Sequence, residues 1–414
     1  MKLEKFEVRF ENDRGVFVSG EHVKGEVIIK LTQPMKMRSI VIYFEGRAKA
    51  HWEVKHGRTK TDYRGNEGYI QHQIKLYGTG QASVEHPAGF HKYPFFLALQ
   101  PTLPSSFEGR RGYVRYFCRA TIDRPWKFDE HTKRAFTVIH HLDLNFISNA
   151  AMPIEGEQEQ TIESCCCSSG TVTGRLLLNK TGYVPGEPIV FTIDVYNKSD
   201  SNVERIELEL RQIVTYTGFS DSIFSSGNPK QHTKLDQFDL LSHPCRIKQN
   251  MEEHINRGGI IPALPPSGLE GCGIIDIQYI VALKVHLGWN TLTIERGIII
   301  GTIPLHQPQG VPGYTPALGP SVPSAPPTME QPPPYCEPPP SYEESVFGRT
   351  EIRDENDDAH TSGLSAWAPS YPYYTWNPTA QVPSMPSAFS PPPGEPGAPI
   401  TTQPTAPPPA YNQI

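Results

Sequence analysis

The chain has 414 residues, a formal net charge of −6 and seven cysteines. That length allows two compact domains with residues to spare, and so mild a charge argues neither for nor against a charged partner; no nucleic acid is expected. The N-terminal "MKLEKFEVRF" alternates and is charged, unlike a signal peptide, and the best apolar run, "GIIIGTIPL", falls well short of the roughly 20 residues that cross a bilayer. An odd cysteine count without paired spacing suits a reducing compartment. A soluble cytoplasmic protein is expected, one that meets membranes only peripherally.

The first clear element lies in "FVSGEHVKGEVIIKL", Phe17 to Leu31, where Val23, Val27, Ile29 and Leu31 share one face with Gly25 in register. A period of two is the mark of a half-buried strand, and the Gly-Glu before it is turn chemistry. "SIVIYFEG" follows, with Ile40, Ile42 and Phe44 on one face. The basic stretches "KMRS" and "RAKAHWEVKHGRTK" supply Lys36, Arg38, Arg47, Lys49, Lys55, Arg58 and Lys60, a pattern expected of a solvated sheet edge. "QPTLPSS" then leads into "VRYFCRATI", which turns Val114, Tyr116, Cys118, Ala120 and Ile122 one way. His140 and His141 are neighbours, so a strand would split their side chains and no chelate is expected.

Residues 151–169 read as a linker carrying "SCCCSS". Cys165, Cys166 and Cys167 there are candidates for S-acylation, with unmodified thiols the plainer alternative. Zinc is not expected, because adjacent side chains on an extended chain diverge and no second ligand pair of the C-x₂-C kind exists.

Beyond it the pattern repeats. "YVPGEPIVFTIDVYN", Tyr183 to Asn197, matches Phe17 to Leu31 at an offset of 166 residues, with Ile189, Phe191, Ile193 and Val195 on one face. "RIELELRQ" repeats "SIVIYFEG" at 166, with Ile206, Leu208 and Leu210; "IPALPPS" repeats "QPTLPSS" at 161; "IQYIVALKV" repeats "VRYFCRATI" at 163, with Ile277, Tyr279, Val281, Leu283 and Val285. Four matches in one order at nearly constant offset define two β domains of like topology, residues 1–150 and 170–305. Short alternating strands between Gly, Pro and Asn turns predict β-sandwiches.

Residues 306–414 hold 27 of the 42 prolines and lose the apolar alternation, so a disordered tail with local polyproline II is expected. The acidic run "EIRDENDD", Glu351 to Asp358, reads as a solvated spacer. The aromatic patch "WAPSYPYYTW", Trp367 to Trp376, is either a partner site or merely sticky.

The stretch Pro87 to Trp126, with "LPSSFEG", "VRY" and "RATIDRPW", resembles the N-terminal domain of the arrestin family, and "GYVPGEPI" with "GTIPL" resembles its C-terminal domain. Order and spacing are similar to those of the α-arrestins, the arrestin-domain-containing proteins, over residues 1–305. The resemblance implies an all-β fold of two arrestin-like antiparallel β-sandwiches followed by the Pro-rich tail. It implies an adaptor that holds membrane cargo, a receptor or a transporter, at the plasma membrane and endosomes. It does not say which of the basic residues above, if any, would sense phosphates on that cargo.

The tail supplies matching ligands. Pro-Pro-x-Tyr, the ligand of WW domains, occurs at Pro332, Pro333 and Tyr335, at Pro339, Pro340 and Tyr342, and at Pro408, Pro409 and Tyr411. Prolines preform polyproline II, so little entropy is lost on docking, and the first Pro and the Tyr lie on one face. "PSAP" (Pro323, Ser324, Ala325, Pro326) and "PTAP" (Pro404, Thr405, Ala406, Pro407) resemble ligands of the ubiquitin-variant (UEV) domain of ESCRT-I. The expected partners are therefore WW-bearing HECT-type ubiquitin ligases, ESCRT-I and membrane cargo. No P-loop, G-x-S-x-G, G-x-G-x-x-G or H-E-x-x-H is present, so no catalytic residue, cofactor or metal is expected. Two rivals stay open: a retromer-like structural sorting subunit, and a thiol enzyme using Cys165 to Cys167.

Overall fold

A computed structural model of the chain describes residues 2–164, 167–220, 227–306, 349–363 and 367–376. The fold is all-β. The N-terminal half contains β1 (Leu3–Phe10), β2 (Val16–Val18), β3 (His22–Leu31), β4 (Met35–Met37), β5 (Ser39–His56), β6 (Thr59–Gly78), β7 (Val84–His86), β8 (Gly89–Ala98), β9 (Phe107–Gly109), β10 (Gly112–Asp123) and β11 (Glu130–Ile139). A 3₁₀ turn at Leu144–Phe146 precedes β12 (Ile154–Ser164), β13 (Cys167–Leu178), β14 (Gly182–Tyr183), β15 (Pro188–Asn197), β16 (Val203–Ser220), β17 (Lys230–Ile247), β18 (Met251–Ile260), β19 (Ile275–Leu287) and β20 (Asn290–Ile300). A short β21 (Thr361–Ser362) comes from the tail.

In the N-terminal sandwich the sheet β1-β3-β8 faces β6-β5-β10-β11. In the C-terminal one β12-β13-β15-β18 faces β17-β16-β19-β20. The predicted apolar faces are the cores: Val23, Val27 and Ile29 in one copy and Ile189, Phe191 and Ile193 in the other are fully buried, as are Ile40, Ile42, Phe44 and Ile206, Leu208, Leu210. Repeated segments are also neighbours. Ile40 pairs with Ile122 and Phe44 with Cys118 in the first copy, while Ile206 pairs with Val285 and Leu210 with Val281 in the second.

The repeat extends to individual hydrogen bonds. Val18 N–H donates to the Glu21 carboxylate at 2.9 Å, and Val184 N–H to Glu187 at 3.1 Å. Gly20 and Gly186 between them take φ of +88° and +85°, the left-handed region open to glycine. Tyr116 donates its hydroxyl to Pro104 O at 2.7 Å and Tyr279 to Pro265 O at 2.8 Å. Val138 N–H donates to Ser106 Oγ, and Ile300 N–H to Ser267 Oγ, both at 2.9 Å. The Gly-Glu, Leu-Pro and Tyr signatures are thus one set of turn and strand anchors used twice. Each satisfies backbone groups that burial would otherwise leave unpaired.

The two sandwiches are joined edge to edge. β6 pairs antiparallel with the end of β16, Arg64 opposite Phe219 and Tyr63 opposite Ser220, so twelve strands form one sheet through both. Trp52 stacks on His232 with ring centroids 5.5 Å apart, and Gly273 N–H donates to both Glu67 carboxylate oxygens, at 3.1 and 3.0 Å. The buried apolar side chains form a continuous cluster across the junction.

Two expectations need correction. Among the described residues of 151–169 the chain is not a free linker: β12 runs antiparallel to β13, with Ile154 opposite Leu178 and Ser164 opposite Cys167. Gly156 and Ile162 are the buried positions of that strand; with so few inward apolar side chains, "IEGEQEQTIES" reads as a polar spacer. Nor is the whole of 306–414 structureless, because residues 349–363 and 367–376 pack on the body.

Candidate functional site

The acidic run begins the packed tail segment. Ile352 is buried at its start. Asp354 then meets two cations, Lys133 Nζ at 2.8 Å and Arg47 Nη2 at 3.0 Å. Asp357 accepts from Lys133 Nζ at 3.0 Å through one oxygen, while its other oxygen lies 4.0 Å from Arg119 Nη1. The turn holding both aspartates closes on itself: Asp354 N–H donates to Asp357 Oδ2 at 2.8 Å and Asn356 N–H to Asp354 Oδ1 at 2.9 Å. Lys133 is 1% exposed and sits over the Phe117 ring, 4.0 Å from its centroid. Glu45 completes the group at 2.7 Å from Arg47.

Three cations on adjacent strands β5, β10 and β11 thus face one shared tail turn, since Arg119 lies opposite both Tyr43 and Lys133 in register. Burial alone pushes the Asp354 carboxyl up. The hydrogen bonds from Lys133 and Asn356 N–H, with the charges of Lys133 and Arg47, outweigh it and hold the group below the usual aspartate range. Buried ion pairs contribute little net stability, because desolvation offsets attraction; breaking one is expensive. The charges here therefore set register and place, and apolar burial supplies the affinity.

That burial comes further along. Thr361 and Ser362 pair parallel with His131 and Thr132 of β11. Ser370 N–H donates to Thr137 Oγ1 at 3.2 Å, and Tyr371, 4% exposed, donates its hydroxyl to Ser106 O at 2.8 Å. Tyr374, 6% exposed, donates N–H to Pro185 O at 3.0 Å and O–H to Thr302 O at 2.7 Å. Trp376 packs against the cluster of Leu144, Ala150, Val184 and Tyr374, joined by Ile147, Ile299 and Leu305. Ser106 belongs to the first "LPSS" and Pro185 to the second "YVPGE". The aromatic patch therefore runs from the N-terminal sandwich across the junction to the C-terminal one, and the tail segment is a belt over both.

The basic residues divide accordingly. Arg47 and Lys49 face the belt, Lys49 lying 3.6 Å from Glu355, so Arg47 is part of a buried charge cluster and not of a solvated edge. Arg38 pairs with Asp123 at 2.5 Å and Lys60 with Glu53 at 3.3 Å, while Lys36, Lys55 and Arg58 are exposed. Sequence reasoning missed Lys133, Arg119, Asp354 and Asp357 as a unit. The only signal was a cationic β11 matched by a distant acidic run. His140 and His141 point to separate partners, Leu103 O at 3.2 Å and Thr302 Oγ1 at 3.1 Å. Among the described residues no three His, Cys, Asp or Glu side chains are grouped to hold a metal. No helix there is long and apolar enough to cross a membrane.

The Pro-Pro-x-Tyr and Pro-Ser/Thr-Ala-Pro motifs lie outside the described residues, as do Cys165 and Cys166; Cys167 begins β13.

Two β-sandwiches built on one repeated plan and joined edge to edge are the architecture of an arrestin-type adaptor. The family model for the arrestin (or S-antigen) N-terminal domain matches residues 6–145 and that for the arrestin C-terminal domain residues 168–305. The chain is 33% identical over 316 residues to arrestin domain-containing protein 17 of Caenorhabditis elegans, covering 73% of this chain and 72% of the relative. It is 26% identical over 335 residues to arrestin domain-containing protein 1 of Rattus norvegicus (78% and 71% covered). It is 27% identical over 316 residues to arrestin domain-containing protein 4 of Mus musculus (71% of each). The chain belongs to the arrestin family, as an α-arrestin. Members of this family serve in general as non-enzymatic scaffolds that bind cargo and trafficking partners.

Proposed function

We propose that this α-arrestin brings WW-bearing HECT-type ubiquitin ligases to membrane receptors or transporters, for ubiquitination, endocytosis and endosomal sorting. The observation that carries the reading is the set of three Pro-Pro-x-Tyr motifs, at Tyr335, Tyr342 and Tyr411, on one arrestin body. Ubiquitin chemistry belongs to the ligase, and this chain supplies placement. It would act in the cytoplasm, peripherally at the plasma membrane and endosomes, helped there by any acylation of Cys165 to Cys167.

Tyr335 and Tyr342 are seven residues apart, roughly 22 Å in polyproline II at about 3.1 Å per residue. That spacing suits two WW domains of one ligase. Tyr411 acts as a third, weaker site at lower effective concentration. Titration of a tandem WW fragment should show a far larger loss from Tyr335→Ala with Tyr342→Ala than from Tyr411→Ala. Equal losses from each single change would contradict the ordering.

The two Pro-Ser/Thr-Ala-Pro motifs support passage to ESCRT-I. "PTAP" runs directly into "PPAY" at Pro408. A folded UEV domain and a WW domain are each far wider than one residue's extended reach of about 3.5 Å, so that pair is an exclusive switch. On a peptide of residues 399–414, saturating WW domain should displace UEV. A ternary complex there would refute the switch.

A further inference from the structure

The connection between β10 and β11 carries "RPWKFD", Arg124 to Asp129. Trp126 is fully exposed (102%) and Phe128 largely so (74%). Lys127 lies exposed between them and makes no ion pair among the described residues.

This loop is held firmly. Arg124 N–H donates to the Asp129 carboxylate at 3.0 Å, Arg124 Nε–H to Phe128 O at 2.8 Å, and the guanidinium pairs with Glu130 at 2.7 Å. The Phe128 ring stacks on His360 of the belt, centroids 5.2 Å apart. At its crest Trp126 takes φ of +60°, a left-handed conformation that costs a bulky residue energy. The fold regains nothing from that strain, because the indole touches water on every side. Singly exposed apolar residues need no explanation. A strained, pinned loop that projects an aromatic, a free cation and a second aromatic does.

We propose that this tip is a contact for an anionic lipid surface, with Trp126 and Phe128 entering the headgroup boundary and Lys127 meeting lipid phosphates or carboxylates. A protein partner would need roughly 800 Å² of matching surface on this side, and the loop offers two exposed aromatics and one exposed lysine. A bilayer interface demands no shape complementarity, and it favours Trp beside Lys. Of the neighbouring charges, Arg38 pairs with Asp123 and Arg124 with Glu130, Asp129 accepts the Arg124 backbone N–H, and Lys127 is the exposed cation of the loop that makes no ion pair among the described residues. The fold contains its own comparison: Trp289, at the same offset of 163 residues, crowns the matching β19–β20 hairpin and is equally exposed (104%), but its loop has only Gly288 and Asn290 beside it.

The proposal deepens the membrane-cargo reading, yet its test needs no cargo and no ligase. Full-length, unacylated protein is floated with vesicles of phosphatidylcholine, with and without phosphatidylserine. Binding to the anionic vesicles is expected. Trp126→Ser should weaken it about tenfold. Lys127→Glu should weaken it about fivefold or more and abolish the preference for phosphatidylserine. Trp289→Ser should leave it within about twofold, and all variants should melt like the parent. Absence of binding by the parent chain, or equal binding by Trp126→Ser, would overturn the proposal and leave a protein as the occupant. A loss from Trp289→Ser equal to that from Trp126→Ser would overturn the assignment to this tip. None of these outcomes alters the binding of WW domains to the tail, so this idea and the adaptor reading fail separately.

Discussion

Replacing Lys133 by Met is the sharpest test of the belt. The substitution keeps the aliphatic stem against Phe117 and removes the cation that lies 2.8 Å from Asp354 and 3.0 Å from Asp357. Asp357, whose side chain has no exposure, then keeps the Asp354 N–H and, as its nearest cation, a distant Arg119. Stripping one partner from a buried pair costs about 3–5 kcal/mol. The penalty has a ceiling, however, because the aspartates regain water if the belt lifts off. Burial of Ile352, Tyr371 and Tyr374 contributes roughly 2 kcal/mol apiece, and ordering the segment takes back most of that sum. The cost of the unpaired carboxylate therefore rivals the net docking energy, and the belt should release. Hydrogen exchange in residues 349–363 and 367–376 should accelerate about a hundredfold, since about 1.4 kcal/mol is a factor of ten. The Tyr374 amide, bonded to Pro185 O, should be included if the belt moves as one unit. In a chain ending at residue 348 the same substitution should cost less than about 1 kcal/mol, because the aspartates are gone. Unchanged exchange in both segments, or an equal cost in both chains, would refute the coupling.

Two further tests follow from the same geometry. Gly20 and Gly186 share a left-handed turn, but a Cβ on Gly20 meets nothing closer than 3.8 Å, whereas one on Gly186 comes 2.1 Å from Tyr374 O. Gly20→Ala should therefore cost about 1 kcal/mol of strain, while Gly186→Ala should add displacement of Tyr374, read as protease sensitivity after residue 367. The Asp354 carboxyl titrates below its unfolded value, so its stabilisation is present above about pH 4, the ordinary aspartate value, and is lost as pH falls through the lower folded value. Belt exchange should thus rise on acidification below about pH 4, and an Asp354→Asn chain should lose that dependence.

The sandwiches were legible in the sequence because alternation is a local signal, and because a duplicated fold repeats its anchors. Val23 and Ile189 lie in matching strands, and Tyr116 and Tyr279 make the same hydrogen bond. The belt was not legible. Asp354 pairs with Arg47 across 307 residues and with Lys133 across 221, and no local window of charge or hydropathy contains both partners. A proline-rich aromatic stretch also reads alike whether it is free or laid across a junction, since Tyr371 and Tyr374 are fixed by backbone carbonyls that carry no sequence mark. β12 escaped notice for the opposite reason, being a strand whose buried positions, among those described, are just Gly156 and Ile162, with Ile154 partly buried against the core.

The adaptor reading rests on ligase capture by the tail. Its most direct measurement is recovery of HECT-type ligases with the full-length chain from cells, compared with a chain in which Tyr335, Tyr342 and Tyr411 are all Ala. The account predicts abundant WW-bearing ligase with the parent and background levels with the triple variant, the two chains melting alike. Equal recovery of ligase with both would contradict it.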